Sequence, residues 1–149
     1  MIWATVEEVR AYVDAQAATL GRAEWPALPE ADSAVQTLID SAARSLSCKV
    51  IRWPVLDEAD EHAEDPVQRQ HMVVAVCETI RARQHSAVQE SALGGMSPIL
   101  AAGGSITADN LSVSGGRGAR VGRSASQVPW PAYEALQAGG LIGGSVATW

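Results

Sequence analysis

The sequence predicts a mainly α protein: a small bundle of three core helices plus a short C-terminal helix, with a β-hairpin or extended C-terminal arm. Three observations carry this. Residues 65–89, DPVQRQHMVVAVCETIRARQHSAVQ, hold one apolar stripe at helical spacing. Two shorter stripes precede it, and residues 92–126 then hold eight of the thirteen glycines. The expected division is a helical bundle over 1–91 and a Gly/Ser-rich arm over 92–149.

The long helix comes first because the others need it. Asp65 suits the N-cap, where its carboxylate can accept an unpaired first-turn N–H. Pro66 suits the first helical position, where its missing N–H costs nothing. Val73, Val76, Cys77, Ile80, Gln84, Ala87 and Val88 then share one face. The run 72–77 is apolar on every side, which fits a helix covered all round by neighbours.

Upstream, Thr5 and Glu8 make a capping-box pattern. Val6, Val9, Val13 and Ala17 mark an amphipathic helix, with Gly21 placed to end it. The connector EWPALP follows, with Trp25 against the core. A second helix is expected to start near Pro29 or Glu30 and run to Ser47, burying Ala31, Val35, Leu38, Ile39, Ala42 and Leu46. Pro54 ends the run 48–53, because the residue before proline is pushed away from helix.

Downstream, Leu111-Ser112-Val113-Ser114 alternates apolar and polar like a half-buried strand. With Ile106 it implies two short strands or a long hairpin, with a bend at 115–118. Such a hairpin is marginal alone and needs a partner to lie on. Pro129-Trp130-Pro131 introduces a helix over 131–138, closed by Gly139 and Gly140. Residues 141–149 form an apolar tail without a charged side chain.

The net charge of −6 is unevenly placed. Asp57, Glu58, Asp60, Glu61, Glu64 and Asp65 fall between 54 and 66 with no Lys or Arg among them, which equals the whole excess. So acidic a chain is poorly suited to gripping nucleic acid by its phosphates. No window approaches the ~18 uninterrupted apolar residues of a membrane span, and the N-terminus lacks the basic charge of a signal peptide. The expectation is a protein made in the cytoplasm that does not engage a membrane. Cys48 and Cys77 lie in apolar helical patterns and are expected to be buried free thiols.

No catalytic constellation emerges. His62, His71 and His85 stand without an HExxH or CxxC pattern, so they read as solvated polar residues. The acidic stretch lacks the mid-loop glycine of a calcium-binding hand. GxSxG is absent, and Gly115, Gly116 and Gly118 fit neither a P-loop nor a dinucleotide fingerprint. The expectation is no cofactor, no metal and no enzymatic activity. Five tryptophans and no phenylalanine are unusual. Trp3, Trp25, Trp53, Trp130 and Trp149 lie outside the helix interiors, as bundle plugs or as anchors for other chains.

The order of parts resembles the head-to-tail connector, or adaptor, proteins of long-tailed double-stranded DNA phages. The resemblance runs through TVEEVRAYV, TLIDSAARSL, an acidic loop, DPVQRQHMVVAVCETI, DNLSVSGG and PAYEALQAGGLIGG. The last two are its most specific part. The long stretch SALGGMSPILAAGGSITA departs from it. The resemblance implies a virion structural protein of the phage neck: a ring, usually of twelve subunits, that docks under the portal and forms part of the DNA channel. A stopper or tail-completion protein lies below, and DNA passes through without specific binding. Ile106, Leu111, Val113, Arg117, Arg120, Leu141, Ile142, Val146 and Trp149 are the expected contacts with the portal or a neighbouring subunit. Asp57, Glu58, Asp60 and Glu61 are the expected channel-facing loop, where acidic side chains would repel phosphates. Another neck component, stopper or tail-terminator-like, is the first alternative. A small helical DNA-binding or regulatory protein is the second, though none of the helices is clearly basic.

Overall fold

The structure is a computed structural model, which describes residues 1–59, 61–92, 105–108, 111–114 and 128–143. It is mainly helical, with α1 (Val6–Leu20), α2 (Asp32–Ser47), α3 (Pro66–Ala92) and α4 (Trp130–Ala138), and two short strands, β1 (Ser105–Ala108) and β2 (Leu111–Ser114).

Local chemistry sets the helix ends. At α1 the capping box is complete: the Thr5 N–H donates to Glu8 Oε2 at 2.8 Å, and the Glu8 N–H donates to Thr5 Oγ1 at 3.3 Å. Gly21 closes the helix at φ 93°, a conformation that a side chain would strain. At α3 the Asp65 carboxylate accepts the Val67 N–H at 2.8 Å, with Pro66 in the first turn. The second helix starts at Asp32, later than its apolar pattern implies. Its N-cap Ala31 has no side chain to accept a hydrogen bond. Arg10 of α1 supplies the restraint instead. Its guanidinium donates to the carbonyls of Pro29 and Glu30 and pairs with Asp32 at 2.9 Å. Residues 29–30 therefore stay outside the helix.

The core is built around the first half of α3. Met72, Val73, Ala75, Val76, Cys77, Thr79 and Ile80 are all buried, whereas Val74 is half-buried, so the apolar run lies under neighbours on all sides but that one. Val9, Val13 and Ala17 meet it from α1, and Val35, Ile39, Ala42 and Leu46 from α2. Ala132, Ala135 and Leu136 meet it from α4. The one buried polar side chain among the described residues, Thr79, donates its hydroxyl to the Ala75 carbonyl at 2.8 Å. Gly139 lets α4 end close to α3: a Cβ there would lie 3.0 Å from that of His71.

Two compact units result, Met1–Ala82 with Val128–Trp149, and Arg83–Gln127. α4 folds into the bundle together with Leu141 and Ile142, three and four residues past its end. Leu141 and Ile142 are 1% and 6% exposed, and the Leu141 carbonyl accepts N–H groups from Ile51 and Arg52 at 2.9 and 3.1 Å. In the second unit β1 and β2 pair antiparallel, with Ile106 opposite Val113 and Ala108 opposite Leu111. The chain thus reverses between Ala108 and Leu111, whereas the sequence reading puts a bend at 115–118, outside the described residues.

Two outcomes test this packing. Ile80→Ala should cost ~2–5 kcal/mol in urea or guanidinium unfolding, because its 1% exposure leaves a truncated site nothing but a cavity. The second is acid-dependent. Burial pushes the Glu8 carboxyl up, but the Thr5 N–H and the Arg69 guanidinium 2.8 Å away outweigh it and hold it below its ordinary 4.5. A depressed carboxylate stabilises the fold above its unfolded value and loses that contribution as pH falls through the folded one. Glu8→Gln should therefore lower the unfolding midpoint at neutral pH, and the gap from wild type should close as the solution is acidified below about 4.5.

Candidate interaction surface

Most of the residues expected to make contacts fall into three groups. Leu141 and Ile142, expected at the portal or a neighbouring subunit, are buried in their own bundle, where they anchor the segment after α4. Ile106, Leu111 and Val113 lie in the β1–β2 pair, Ile106 directly opposite Val113. Arg117, Arg120, Val146, Trp149 and Asp60 lie outside the described residues.

The acidic loop is more ordered than its charge implies. Leu56 and Ala63 form an antiparallel bridge. The Asp57 N–H donates to the His62 carbonyl, and the Glu64 N–H to that of Val55, both at 2.8 Å. Inside this turn the Asp57 carboxylate accepts N–H groups from Glu61 at 3.0 Å and His62 at 3.2 Å. Those two bonds hold its carboxyl below the ordinary range. Asp57 thus keeps its negative charge while it closes the turn. Glu58 and Glu61 do point to solvent. The loop is also tied to the N-terminus, since the Ile2 N–H donates to the Glu61 carbonyl.

The tryptophans divide. Trp3 and Trp25 are buried, whereas Trp53 and Trp130 are 56% and 66% exposed. Trp25 packs edge-on against Tyr12, with the Arg81 guanidinium 4.9 Å above its ring. Arg81 is itself held by Glu24 at 2.9 Å and Glu78 at 3.2 Å. This cluster locks the α1–α2 connector onto α3. Trp130 stacks on Tyr133 and donates to Glu134 at 2.8 Å, within its own helix.

Trp53 belongs to a surface that sequence reasoning missed. Ile51, Trp53 and Val55 are exposed at alternate positions, Ile51 and Val55 by more than two-thirds. The backbone that carries them is held at both ends. Leu141 accepts from Ile51 and Arg52, and the Leu56–Ala63 bridge follows Val55. Trp53 rests edge-on against Trp3, 6.4 Å between ring centres. Met1 and Ile2, which precede Trp3, are each 40% exposed. The signal was present as I51-R52-W53-P54-V55, with apolar residues at a period of two. It was obscured because Pro54 removes a strand donor and argues against a paired strand.

Charge brackets the strip. Lys49 is exposed two residues before it and Arg52 between Ile51 and Trp53, and Glu58 and Glu61 are exposed just past its end. Among the described residues no group of three His, Cys, Asp or Glu side chains could hold a metal ion, and no helix is long and apolar enough to cross a membrane. Cys48, expected to be buried, is exposed at the end of α2, whereas burial pushes the Cys77 thiol up to about 12. No known protein family, curated protein or solved structure matches the chain.

The role of Asp57 can be checked by hydrogen exchange. Asp57→Ala should speed exchange at the Glu61 and His62 amides, which lose their acceptor, while Glu58→Ser leaves both unchanged.

Proposed function

We propose that the chain is a subunit of a head-to-tail adaptor ring of a long-tailed phage, docking beneath the portal and leading DNA toward the tail. The observation that carries this reading is the order of elements. Two amphipathic helices, an acidic turn, a long buried helix and a terminal helix with a Gly-Gly-Leu end follow one another as in the sequence pattern that resembles that family. The folded-back α4 refines the reading. Contacts with the portal fall to the β1–β2 pair, Arg117, Arg120, Val146 and Trp149, and not to Leu141 or Ile142. Strand pairs of this kind can extend a partner's sheet edge, where backbone hydrogen bonds supply affinity and alternate side chains supply specificity. Glu58 and Glu61 would repel phosphates if they face the channel. In this role the protein is a virion component made in the host cytoplasm, and it binds and orients without catalysing a reaction.

The test is assembly on a portal. Mixed with isolated portal rings, the full chain should add a closed ring of about twelve copies, read as particle mass. Truncation after Gly143 leaves in place every residue of the bundle that is buried among the described residues. The truncated chain should melt like the full one yet bind the portal at least ten-fold more weakly, since it loses Val146 and Trp149. Full chain that adds no mass to portal rings overturns the reading.

A further inference from the structure

The segment between α1 and α2, residues 21–31, places one side chain in the core. Trp25, 2% exposed, is its single buried residue. That burial leaves a polar group unanswered. The Trp25 indole N–H is the one buried side-chain donor among the described residues that meets no acceptor. Elsewhere the fold avoids this: buried Thr79 donates to the Ala75 carbonyl, and exposed Trp130 donates to Glu134. In water the indole N–H would be hydrogen-bonded, so enclosing it opposes the stabilisation that comes from enclosing the ring.

Two arginines hold the segment down. From α3, the Arg81 guanidinium lies 4.9 Å from the centre of the Trp25 ring. It donates to the Glu24 carbonyl and to the Glu24 carboxylate, both at 2.9 Å. From α1, Arg10 donates to the Pro29 and Glu30 carbonyls and pairs with Asp32. These clasps stand partly in water, with the Glu24 and Asp32 side chains 59% and 77% exposed. Salt screens such pairs but does not screen apolar burial. Val9 and Val13 of α1, Val35 and Ile39 of α2 and Val76 of α3 are buried in one core that spans the three helices.

We propose that residues 21–31 are a latched strap, which opens as a unit while the three helices stay packed, carries Trp25 into water and frees Arg81 from Glu24, and which rising ionic strength shifts toward its open form.

Opening gives up one buried ring and two partly solvated clasps, and it hydrates the orphaned N–H. Global unfolding gives up the whole core, so the strap opens far more often than the bundle unfolds. Gly21 stands at its first residue, where backbone freedom lets the strap turn away from α1. Once open, the strap uncovers the Tyr12 ring and leaves Arg81 on Glu78. This inference concerns the free chain and does not rest on the adaptor reading.

The test is native-state hydrogen exchange of the full chain, followed by NMR. Two protons report on the strap: the Trp25 indole N–H, and the Trp25 amide, which donates to the Gly21 carbonyl at 3.1 Å. The amide of Val76, in the buried part of α3, reports on the bundle. Corrected for intrinsic rates, both strap protons should exchange at least ten-fold faster than Val76. Raising NaCl from about 20 to about 500 mM should speed the strap protons ~2–5-fold and leave Val76 unchanged. Glu24→Gln keeps the carbonyl clasp and removes the charge. It should speed the strap protons at low salt to a similar extent and reduce their response to salt, again with Val76 unchanged. Strap protons that exchange in step with Val76, or that ignore salt, overturn the proposal. So does a Glu24→Gln chain whose strap exchanges at the wild-type rate, or one in which Val76 speeds up equally.

Discussion

Met72, Val73, Ala75, Val76 and Cys77 take up more than half the circumference of α3 within two turns and all are buried, and Val74 between them is half-buried. A helix covered on one face needs one partner layer; a helix covered over more than half its circumference needs a wrapping. That requirement accounts for the rest of the first unit. α1 and α2 cannot enclose α3 between them, so α4 returns from beyond the glycine-rich segment to complete the cover with Ala132, Ala135 and Leu136. Small residues share this core with the large ones. Ala42, Ala75 and Ala132 are each fully buried, and a larger side chain at any of them would force neighbours off their rotamers. Around this core the ion pairs are peripheral. Arg69–Glu8 and Arg81–Glu24 are partly solvated and contribute modestly to stability. Their geometry is more useful than their energy, since each ties a connector or helix start to α3.

What was legible in the sequence was what depends on neighbours three or four residues apart. The capping box of Thr5 and Glu8, the Asp65–Pro66 start of α3 and the buried stripe Val9, Val13 and Ala17 all follow from local spacing, and all appear in the structure. What was not legible depends on residues far along the chain. Leu141 and Ile142 look like an exposed apolar tail, because composition cannot show that the Leu141 carbonyl meets the N–H groups of Ile51 and Arg52 some ninety residues earlier. The start of α2 was misplaced for the same reason: Arg10, on another helix, takes the carbonyls that would have extended it. Asp57 was counted as one charge among six. Only the closing of the 56–63 bridge brings two amides to its carboxylate.

The candidate surface shows the same division. Exposure of Trp53 could be argued either way from sequence, as a plug or as an anchor, and its neighbour Trp3 took the plugging role. The strip could become a platform because backbone hydrogen bonds that involve no strip side chain fasten one end to Leu141 and the other to the acidic turn. Its exposed groups can therefore vary without disturbing the core, a freedom that Leu141 and Leu46 do not have.

The two cysteines have opposite characters, one exposed at the close of α2 and one enclosed beside Val76 with its thiol pushed up to about 12. At mildly alkaline pH the enclosed sulfur is almost never a thiolate, and a reagent cannot reach it. Among thiol chemistries the native chain therefore behaves as though it had a single sulfur. A fluorophore, spin label or gold cluster offered to the folded protein attaches at Cys48, one residue from Lys49 and at the margin of the strip. The chain carries a built-in reporter position that needs no engineered mutation. When the core opens the second sulfur becomes reactive, so the number of labels per chain also counts unfolded molecules.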